Sequence, residues 1–346
     1  MNESQLIDKY QTKVVLKMLK LEQQQDISSI KFVQAFKVTT LFVKKCFSIN
    51  FQEAPTNILN LTVNQCQLQT VDGIQQMVQL QALNLQNNQL ENIEELKYLI
   101  NLTTLKLCDN KISDIKALDK LCCIQNLSLD HNPLQNISTV STLHTLVELN
   151  LTKTNLSNIS FIKSLLQLQR LTLSQNSIID ISILMYKTKL TYLHLGQNQI
   201  IDITSLQLLQ RLEQLILSDN QIVHIDALTE LANLNHLDLR NNFIISVECI
   251  EHHRFYDDYY DTNYNRPSAQ QVQYSNTLAK IFKANRLFNT QLFCIKKLKS
   301  KIAIYTQLFK DSINQCLSKA NTDNQYFYEQ MKSILQSNVH FDMATQ

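Results

Sequence analysis

The sequence contains very little glycine and proline and has no tryptophan. Its 346 residues include three prolines and two glycines, Gly73 and Gly196. Loops that hold the phosphates of nucleotides need several closely spaced glycines, because the backbone must approach the ligand through left-handed turns. Two glycines so far apart in the chain cannot form such a loop. This excludes nucleotide binding of that kind.

Motifs typical of catalysis and metal binding are also missing. The eight cysteines form no C-x-x-C pair, and neither an H-E-x-x-H nor a G-x-S-x-G pattern occurs. The densest group of ligand-type residues is His252-His253 with Asp257 and Asp258. We interpret it as a hydrated loop, because adjacent histidines rarely bind one ion together. The sequence therefore predicts a protein that is not an enzyme and has no metal or other cofactor.

Long apolar segments are absent as well. No stretch approaches the roughly 18 apolar residues of a membrane-spanning helix, and Met1 to Gln5 contain no apolar core of a signal peptide. Scattered cysteines without paired spacing are typical of free thiols in a reducing compartment. These features predict a cytoplasmic protein without signal peptide or transmembrane segment, and a nuclear location stays open.

What the sequence does contain is a pattern that recurs with a constant period of twenty-two positions. One copy consists of Leu80, Leu83, Leu85, Asn88, Leu90 and Ile93, and the same positions recur from Ile58 to Val247. The leucines that flank Asn84 alternate with it, which predicts a short strand with both leucines on one face. After Leu90 the apolar spacing changes to every third position, which predicts a 3₁₀-like or extended segment.

No single copy can bury its leucines alone, so the copies are expected to stack around one shared core. The Asn position falls at the corner after each strand, where an amide can satisfy backbone groups of the bend and of the adjacent coil. Cys66 and Thr154 replace Asn in two copies, and Thr154 marks the expected local irregularity.

The pattern resembles the leucine-rich repeat family, whose signature is L-x-x-L-x-L-x-x-N/C-x-L, over about nine copies. The short period is similar to that of the SDS22-like subclass, which internalins share. The resemblance implies an α/β fold of the leucine-rich repeat type. In it, a right-handed solenoid carries a curved parallel β-sheet on its concave side and 3₁₀ or extended segments on its convex side. A C-terminal α-helical segment is expected to follow.

Five segments are expected along the chain: an N-terminal helical cap at 1–18, degenerate repeats at 19–57, regular repeats at 58–250, an aromatic-rich cap or linker at 251–274 and a helical segment at 275–346. In the degenerate part, Leu19-Lys20-Leu21 lies one full period before Leu41-Phe42-Val43. About eleven strands are therefore expected. Residues 278–310 carry eight basic residues and no acidic one, beside an apolar side.

Outward strand positions supply the candidate binding residues on the concave face. Most are Asn, Gln, Ser or Thr, and two groups differ from this background. The first is acidic, with Asp109, Asp130 and Asp219, and Lys106 lies near it in the sequence. The second comprises Arg170, Tyr192, His194, Ile216, His236, Asp238 and Arg240. Tyr, Arg and His around an exposed Ile are typical of a protein-binding hot spot. Gly196 is expected to open a small pocket beside His194.

These residues predict a monomeric, non-enzymatic scaffold that binds another protein on its concave face, with a regulatory subunit as one form of that role. The SDS22-like resemblance implies regulation of a Ser/Thr phosphatase, but the absence of Trp and the small number of concave aromatic and acidic residues disfavour that partner. The alternative is an adaptor that binds nucleic acid or an anionic membrane surface through residues 278–310. A helical hairpin packed onto the solenoid would explain the same segment, so these two partners are disfavoured.

Overall fold

The computed structural model describes residues 18–22, 38–46, 49, 51–52 and 54–244. All of them belong to the first of two units, Met1–Ala279 and Lys280–Gln346, into which contacts divide the chain. Three predicted segments lie outside the described residues: the helical cap before residue 18, the aromatic-rich cap or linker at 251–274 and the helical segment at 275–346.

Eleven short strands form one curved, open parallel sheet, in which each strand pairs with the next along the chain. They are β1 (Met18–Glu22), β2 (Thr40–Lys44), β3 (Asn60–Asn64), β4 (Ala82–Asn84), β5 (Thr104–Lys106), β6 (Asn126–Ser128), β7 (Glu148–Asn150), β8 (Arg170–Thr172), β9 (Tyr192–His194), β10 (Gln214–Ile216) and β11 (His236–Asp238). From β3 onward each pairing joins equivalent positions of successive repeats, as between Leu83 and Leu105. The predicted fold class and strand number are confirmed.

The first two strands continue this sheet, although their sequences fit the repeat poorly. Leu21 pairs with Val43, which keeps the regular period. Val43 pairs with Val63, two positions closer along the chain than the regular period requires. The connection between β2 and β3 is therefore shorter than in the regular coils. At the start of the sheet, Met18, the last residue of the expected helical cap, is the first residue of β1.

From β3 onward, the chain returns from one strand to the next through a 3₁₀ turn. These turns are Ile74–Gln76, Glu94–Tyr98, Lys116–Lys120, Ser138–Thr142, Ser160–Ser164, Ser182–Tyr186, Thr204–Leu208 and Asp226–Leu228. Side chains at every third position align on one face of such a turn, and Ile93, Leu96 and Leu99 are accordingly buried. Among the described residues, no helix has the length and apolarity needed to cross a membrane.

One apolar core runs through all the described coils, from Leu21 to Ile244. Strand leucines such as Leu83 and turn leucines such as Leu96 contribute to it and are inaccessible to solvent. Burial of a leucine side chain contributes about 1.5–3 kcal/mol. Because adjacent coils share these contacts, each coil depends on its neighbours for stability.

Lys187 interrupts the apolar lining on the side of the 3₁₀ turns. It occupies the position that Leu165 and Leu209 occupy in the neighbouring coils, and it is buried. Its Nζ donates to the carbonyl oxygens of Lys163 at 3.0 Å and Leu165 at 3.2 Å. Burial lowers the pKa of this ammonium group. The side chain thus satisfies two backbone acceptors while it replaces an apolar residue.

An asparagine, buried in most cases, stabilises the corner of every regular coil except those of Cys66 and Thr154. Asn110 Nδ2 donates to the carbonyl oxygens of Leu107 at 2.9 Å and of Leu85 in the preceding coil at 3.1 Å. Asn110 Oδ1 accepts from the N–H of Leu90, also in the preceding coil, at 3.0 Å. One amide therefore links two coils, which confirms the predicted role of this position.

Thr154 interrupts the asparagine ladder, as predicted. Its hydroxyl donates to the carbonyl oxygen of Leu151 within its own coil at 2.7 Å. In the preceding coil, the N–H of Leu134 donates to the carbonyl oxygen of Asn132 at 2.9 Å, instead of to an amide of the next coil. Leu134 is only partly buried, whereas Ile112, its counterpart one coil earlier, is inaccessible. The junction between these two coils is therefore less tightly closed than the others.

Candidate binding face

The outward strand residues form columns that run across the sheet. Equivalent positions of successive repeats pair with each other, so these residues of adjacent coils lie side by side at about 4.8 Å. The three columns include Ala82, Asn84 and Gln86, and each of these residues is partly exposed. We call this surface, together with the corner residue that follows each strand, the concave face.

The structure brings most of the second predicted group together. Two columns carry it, with the register partners Tyr192, Gln214 and His236 in one and His194, Ile216 and Asp238 in the other. Arg240 comes just after β11, which ends at Asp238. The name C-terminal patch is used below for Tyr192, His194, Ile216, His236, Asp238 and Arg240. Tyr192, His194, Ile216 and His236 are partly exposed and Arg240 is exposed, whereas Asp238 is buried.

Arg170 connects the C-terminal patch to an acidic residue on the preceding strand. Its guanidinium carbon lies 4.2 Å from the centroid of the Tyr192 ring. Its Nε lies 3.6 Å from Glu148 Oε1, and both side chains of this pair are about half exposed. The sequence reasoning missed Glu148. Its position one repeat before Arg170, in the same column, is the signal that could have identified it.

A shallow depression of about 190 Å³ lies beside this ion pair. It is lined by Lys106, Asn126, Leu127, Ser128, Glu148, Leu149, Asn150, Arg170 and Thr172. Lys106 and Arg170 bring positive charge to it, and Asn126 and Asn150 bring amides. Lys106 and Arg170 therefore line the same depression and supply hydrogen-bond donors on the concave face.

At the C-terminal end of the face, Arg240 is held by a nearby acid. Its Nε and Nη2 donate to the two carboxylate oxygens of Asp238 at 2.9 and 2.8 Å. Burial would raise the pKa of Asp238, but hydrogen bonds from Arg240 and Ser218 bring it below its ordinary value. The carboxylate is therefore ionised, and it forms an ion pair with Arg240, whose side chain is about half exposed.

The pocket expected at Gly196 is not open, so that prediction is wrong. A Cβ atom at Gly196 would lie 3.1 Å from His194 Nε2 and 3.2 Å from Ser218 Oγ. The imidazole and the hydroxyl therefore occupy the space that the missing side chain leaves. Burial lowers the pKa of His194, although the charge of Asp238 acts in the opposite direction. At neutral pH, His194 presents an uncharged ring.

The predicted acidic group separates into two places. Asp109 and Asp130 lie on adjacent coils, and each has a ligand atom within 4.8 Å of the other and of Cys108 Sγ. Asp219 lies five repeats after Asp109 and accepts a hydrogen bond from Asn241 at 2.7 Å. The acidic patch is therefore limited to one pair of coils.

A histidine and a cysteine accompany this pair of acids. His131 Nδ1 lies 3.3 Å from Asp130 Oδ2 and 4.0 Å from Asp109 Oδ1. Burial, together with the charges of Asp130 and Asp109, raises the pKa of the Cys108 thiol to about 11. The thiol is therefore protonated at neutral pH when nothing positively charged is bound beside it.

Comparison with solved structures identifies the fold. An internalin (inlF) from Listeria monocytogenes is similar over 72% of each chain, with a TM-score of 0.64 and 21% identity. The ectodomain of the receptor kinase GASSHO1/SCHENGEN3 from Arabidopsis thaliana, in complex with CASPARIAN STRIP INTEGRITY FACTOR 2, gives a TM-score of 0.52 and 22% identity. The PEPR1–AtPEP1 structure gives 0.54 and 20%. Each of the latter two matches covers 66% of this chain and about a third of the matched chain, 33% and 35% respectively.

A parallel sheet that gains one strand with each repeat, with 3₁₀ turns behind it, defines a repeat solenoid. The chain has the fold of a leucine-rich repeat protein. No family model matches the sequence, and no curated protein matches it. The SDS22-like subclass stays a prediction.

Proposed function

We propose that this protein is a non-enzymatic scaffold that binds another protein along its concave face. The observation that carries the proposal is the continuous row of Glu148, Arg170 and Tyr192, which adjoins the C-terminal patch. Tyr and Arg are enriched among the residues that dominate protein–protein binding. The receptor ectodomain and PEPR1, which share this fold, are each described together with a second component.

The contacts around Arg170 favour binding because they hold its side chain before a partner arrives. The guanidinium lies against a ring on one strand and near a carboxylate on another. Association usually costs about 0.5–1.5 kcal/mol for each flexible side chain that it immobilises. A stacked arginine has already lost part of that freedom. It can still direct N–H donors into the depression that it shares with Lys106.

Two features of the depression indicate the chemistry of the contacting segment. Lys106 and Arg170 favour an acidic or carbonyl-rich segment, whereas Glu148 accepts hydrogen bonds and the amides of Asn126 and Asn150 both accept and donate them. An extended polypeptide that runs parallel to the strands would present side chains on one face about every 6.6–6.8 Å, which matches the spacing of outward residues along a strand. The proposed partner is therefore a protein segment with acidic and amide side chains.

The regulatory role, the monomeric state and the cytoplasmic location stay predictions. The alternative role as an adaptor for nucleic acid or a membrane surface depends on residues 278–310. These residues lie outside the described part of the chain, so the alternative is also still a prediction.

Affinity capture from native lysate tests the proposal with three baits. The first is the intact chain, and the second carries Arg170→Ala and Tyr192→Ala. The third carries Tyr98→Ala and Tyr186→Ala, which alter exposed aromatic residues of the 3₁₀ turns and serve as the matched control. We expect a protein that the first and third baits recover and the second loses. Equal recovery by the first two baits would remove Arg170 and Tyr192 from the binding surface.

A further inference from the structure

Three side chains with metal-binding atoms converge at the corners that follow β5 and β6, and a fourth, His131, lies beside two of them. Cys108 and Asp130 are equivalent residues of adjacent coils, and so are Asp109 and His131. The ligand atoms of Cys108, Asp109 and Asp130 all lie within 4.8 Å of one another. His131 Nδ1 lies 3.3 Å from Asp130 and 4.0 Å from Asp109. The group therefore combines one sulfur, one imidazole nitrogen and two carboxylates.

Neighbouring polar side chains hold two of these groups in place. Asp130 Oδ1 accepts hydrogen bonds from the hydroxyl of Ser128 and, at 2.9 Å, from Asn150 Nδ2. Asp130 Oδ2 is the oxygen that faces His131. Cys108 Sγ donates to Gln86 Oε1 at 3.4 Å. Metal ligands in proteins are commonly oriented by such outer hydrogen bonds, which fix the rotamer of the carboxylate or the imidazole.

We propose that Cys108, Asp109, Asp130 and His131 form a binding site for a divalent transition-metal ion of the Zn²⁺ type. Thiolate, imidazole and carboxylate are the ligands that Zn²⁺ and Co²⁺ accept in four-coordinate sites. Metal–ligand bonds of about 2.0–2.3 Å require ligand atoms roughly 3.3–3.8 Å apart. The present separations reach 4.8 Å at most among the three grouped atoms. Metal binding therefore requires side-chain rotations that bring the ligand atoms of Cys108, Asp109 and Asp130 closer together.

Charge balance explains why a cation is the ligand for this group. Two carboxylates lie beside the Cys108 thiol, and Nδ1 of His131 lies 3.3 Å from one of them and 4.0 Å from the other. The positive charge of a bound divalent ion balances the negative charges of the two carboxylates. The ion binds Cys108 as the thiolate, and the thiol proton is released to solvent. The two exposed thiols of Cys122 and Cys123 belong to no such ligand group among the described residues. Metal binding needs no partner protein, so this proposal is independent of the proposed scaffold function.

Titration of the full chain with Co²⁺, under a reducing agent without thiols, tests the site. We expect one equivalent of Co²⁺ to bind and to give a sulfur-to-cobalt charge-transfer band, which Zn²⁺ then removes because it binds such sites more tightly than Co²⁺. Cys108→Ser should abolish the band. Asp130→Asn and His131→Asn should weaken Co²⁺ binding by at least about tenfold, and Ser128→Ala by about 10–100-fold through the orientation of Asp130.

The double variant Cys122→Ser/Cys123→Ser and the double variant His252→Ala/His253→Ala are the matched controls, and both should bind Co²⁺ like the unaltered chain. Thermal unfolding without metal verifies that each variant is folded. With Zn²⁺ added, the midpoint should rise for the unaltered chain and stay constant for Cys108→Ser. The proposal is overturned if no band forms, if Cys108→Ser retains it, or if either control loses it.

Discussion

Left-handed backbone at the corners comes from residues other than glycine. The residue before each corner position has a positive φ in ten successive coils: Lys45, Gln65, Asn87, Asp109, His131, Lys153, Gln175, Gln197, Asp219 and Asn241. For residues other than glycine, this conformation costs about 1–2 kcal/mol. The hydrogen bonds of the corner asparagines offset that cost in the regular coils. The scarcity of glycine therefore excludes phosphate loops without excluding left-handed turns.

Gly73 is the glycine on which the backbone depends. Its φ is 93°, and a Cβ atom there would lie 2.5 Å from Gln52 N and 2.6 Å from the carbonyl carbon of Phe51. We expect Gly73→Ala to lower the free energy of unfolding by at least about 2 kcal/mol, because strain and a backbone clash add together. Chemical denaturation measures this directly.

Gly196→Ala is the matched control for that substitution. The nearest atoms to the new methyl group would be His194 Nε2 and Ser218 Oγ, both in side chains that can move. The loss should be clearly smaller than that of Gly73→Ala. A loss of equal size in the two variants would contradict the argument from backbone strain.

His194 makes the stability of the fold dependent on pH. Burial places its folded-state pKa below the ordinary value of 6.5. The unfolded chain therefore binds this proton more tightly, and the stability that His194 contributes above pH 6.5 is lost as the pH falls through the folded-state value. We expect the thermal midpoint to fall between pH 7 and about pH 5, and His194→Gln to reduce that fall. Asp238 titrates lower, below 3.8, and so outside this range.

At the scale of elements, the junction before Thr154 lacks a hydrogen bond that the coils with a corner asparagine have. An asparagine at position 154 would accept a hydrogen bond from the N–H of Leu134. With Thr154 in its place, this N–H donates to the carbonyl oxygen of Asn132 in its own coil. The junction one coil earlier lacks a different bond, because Pro133 has no N–H to donate to the carbonyl oxygen of Ile112. The equivalent Lys111 donates to Leu90 in the preceding coil at 2.9 Å.

Thr154→Asn should restore the ladder and raise the free energy of unfolding by about 1 kcal/mol, the usual net contribution of a buried hydrogen bond. Asn110→Thr, the reverse change in a regular coil, should lower it by a similar amount or more. Hydrogen exchange should show slower exchange of the Leu134 N–H in Thr154→Asn. Unchanged protection at Leu134 would show that the side chain at this corner does not control the junction.

The elements themselves could be predicted because their cause lies in the sequence period. Alternation around Asn84 specifies a strand, apolar residues at every third position after Leu90 specify a turn, and the constant repeat length specifies the register. Contacts between side chains of different coils were harder to predict from the sequence. The role of Glu148 becomes evident only once Arg170 is known to lie beside it. The predicted pocket at Gly196 is filled by the ring of His194, and its position depends on the side-chain conformation. The metal-binding atoms near Asp130 come from two columns, which a search along the sequence does not combine.

At the scale of the whole molecule, a solenoid offers one long surface, and binding depends on which part of it a partner contacts. The concave face contains small polar residues over most of its length. The stacked Arg170, its ion pair with Glu148 and the C-terminal patch are concentrated on β7 to β11. A partner should therefore contact the later strands more than the earlier ones.

Site-specific photo-crosslinking in the native lysate tests this claim most directly. A photoreactive residue at Gln214, which lies in the column between Tyr192 and His236, would report contacts on the concave face. The same residue at Leu208, exposed on a 3₁₀ turn of the opposite side, is the control. The account predicts a specific adduct at Gln214 that Arg170→Ala/Tyr192→Ala removes, and none at Leu208. An adduct at Leu208 alone would place the binding surface on the convex side and contradict the account.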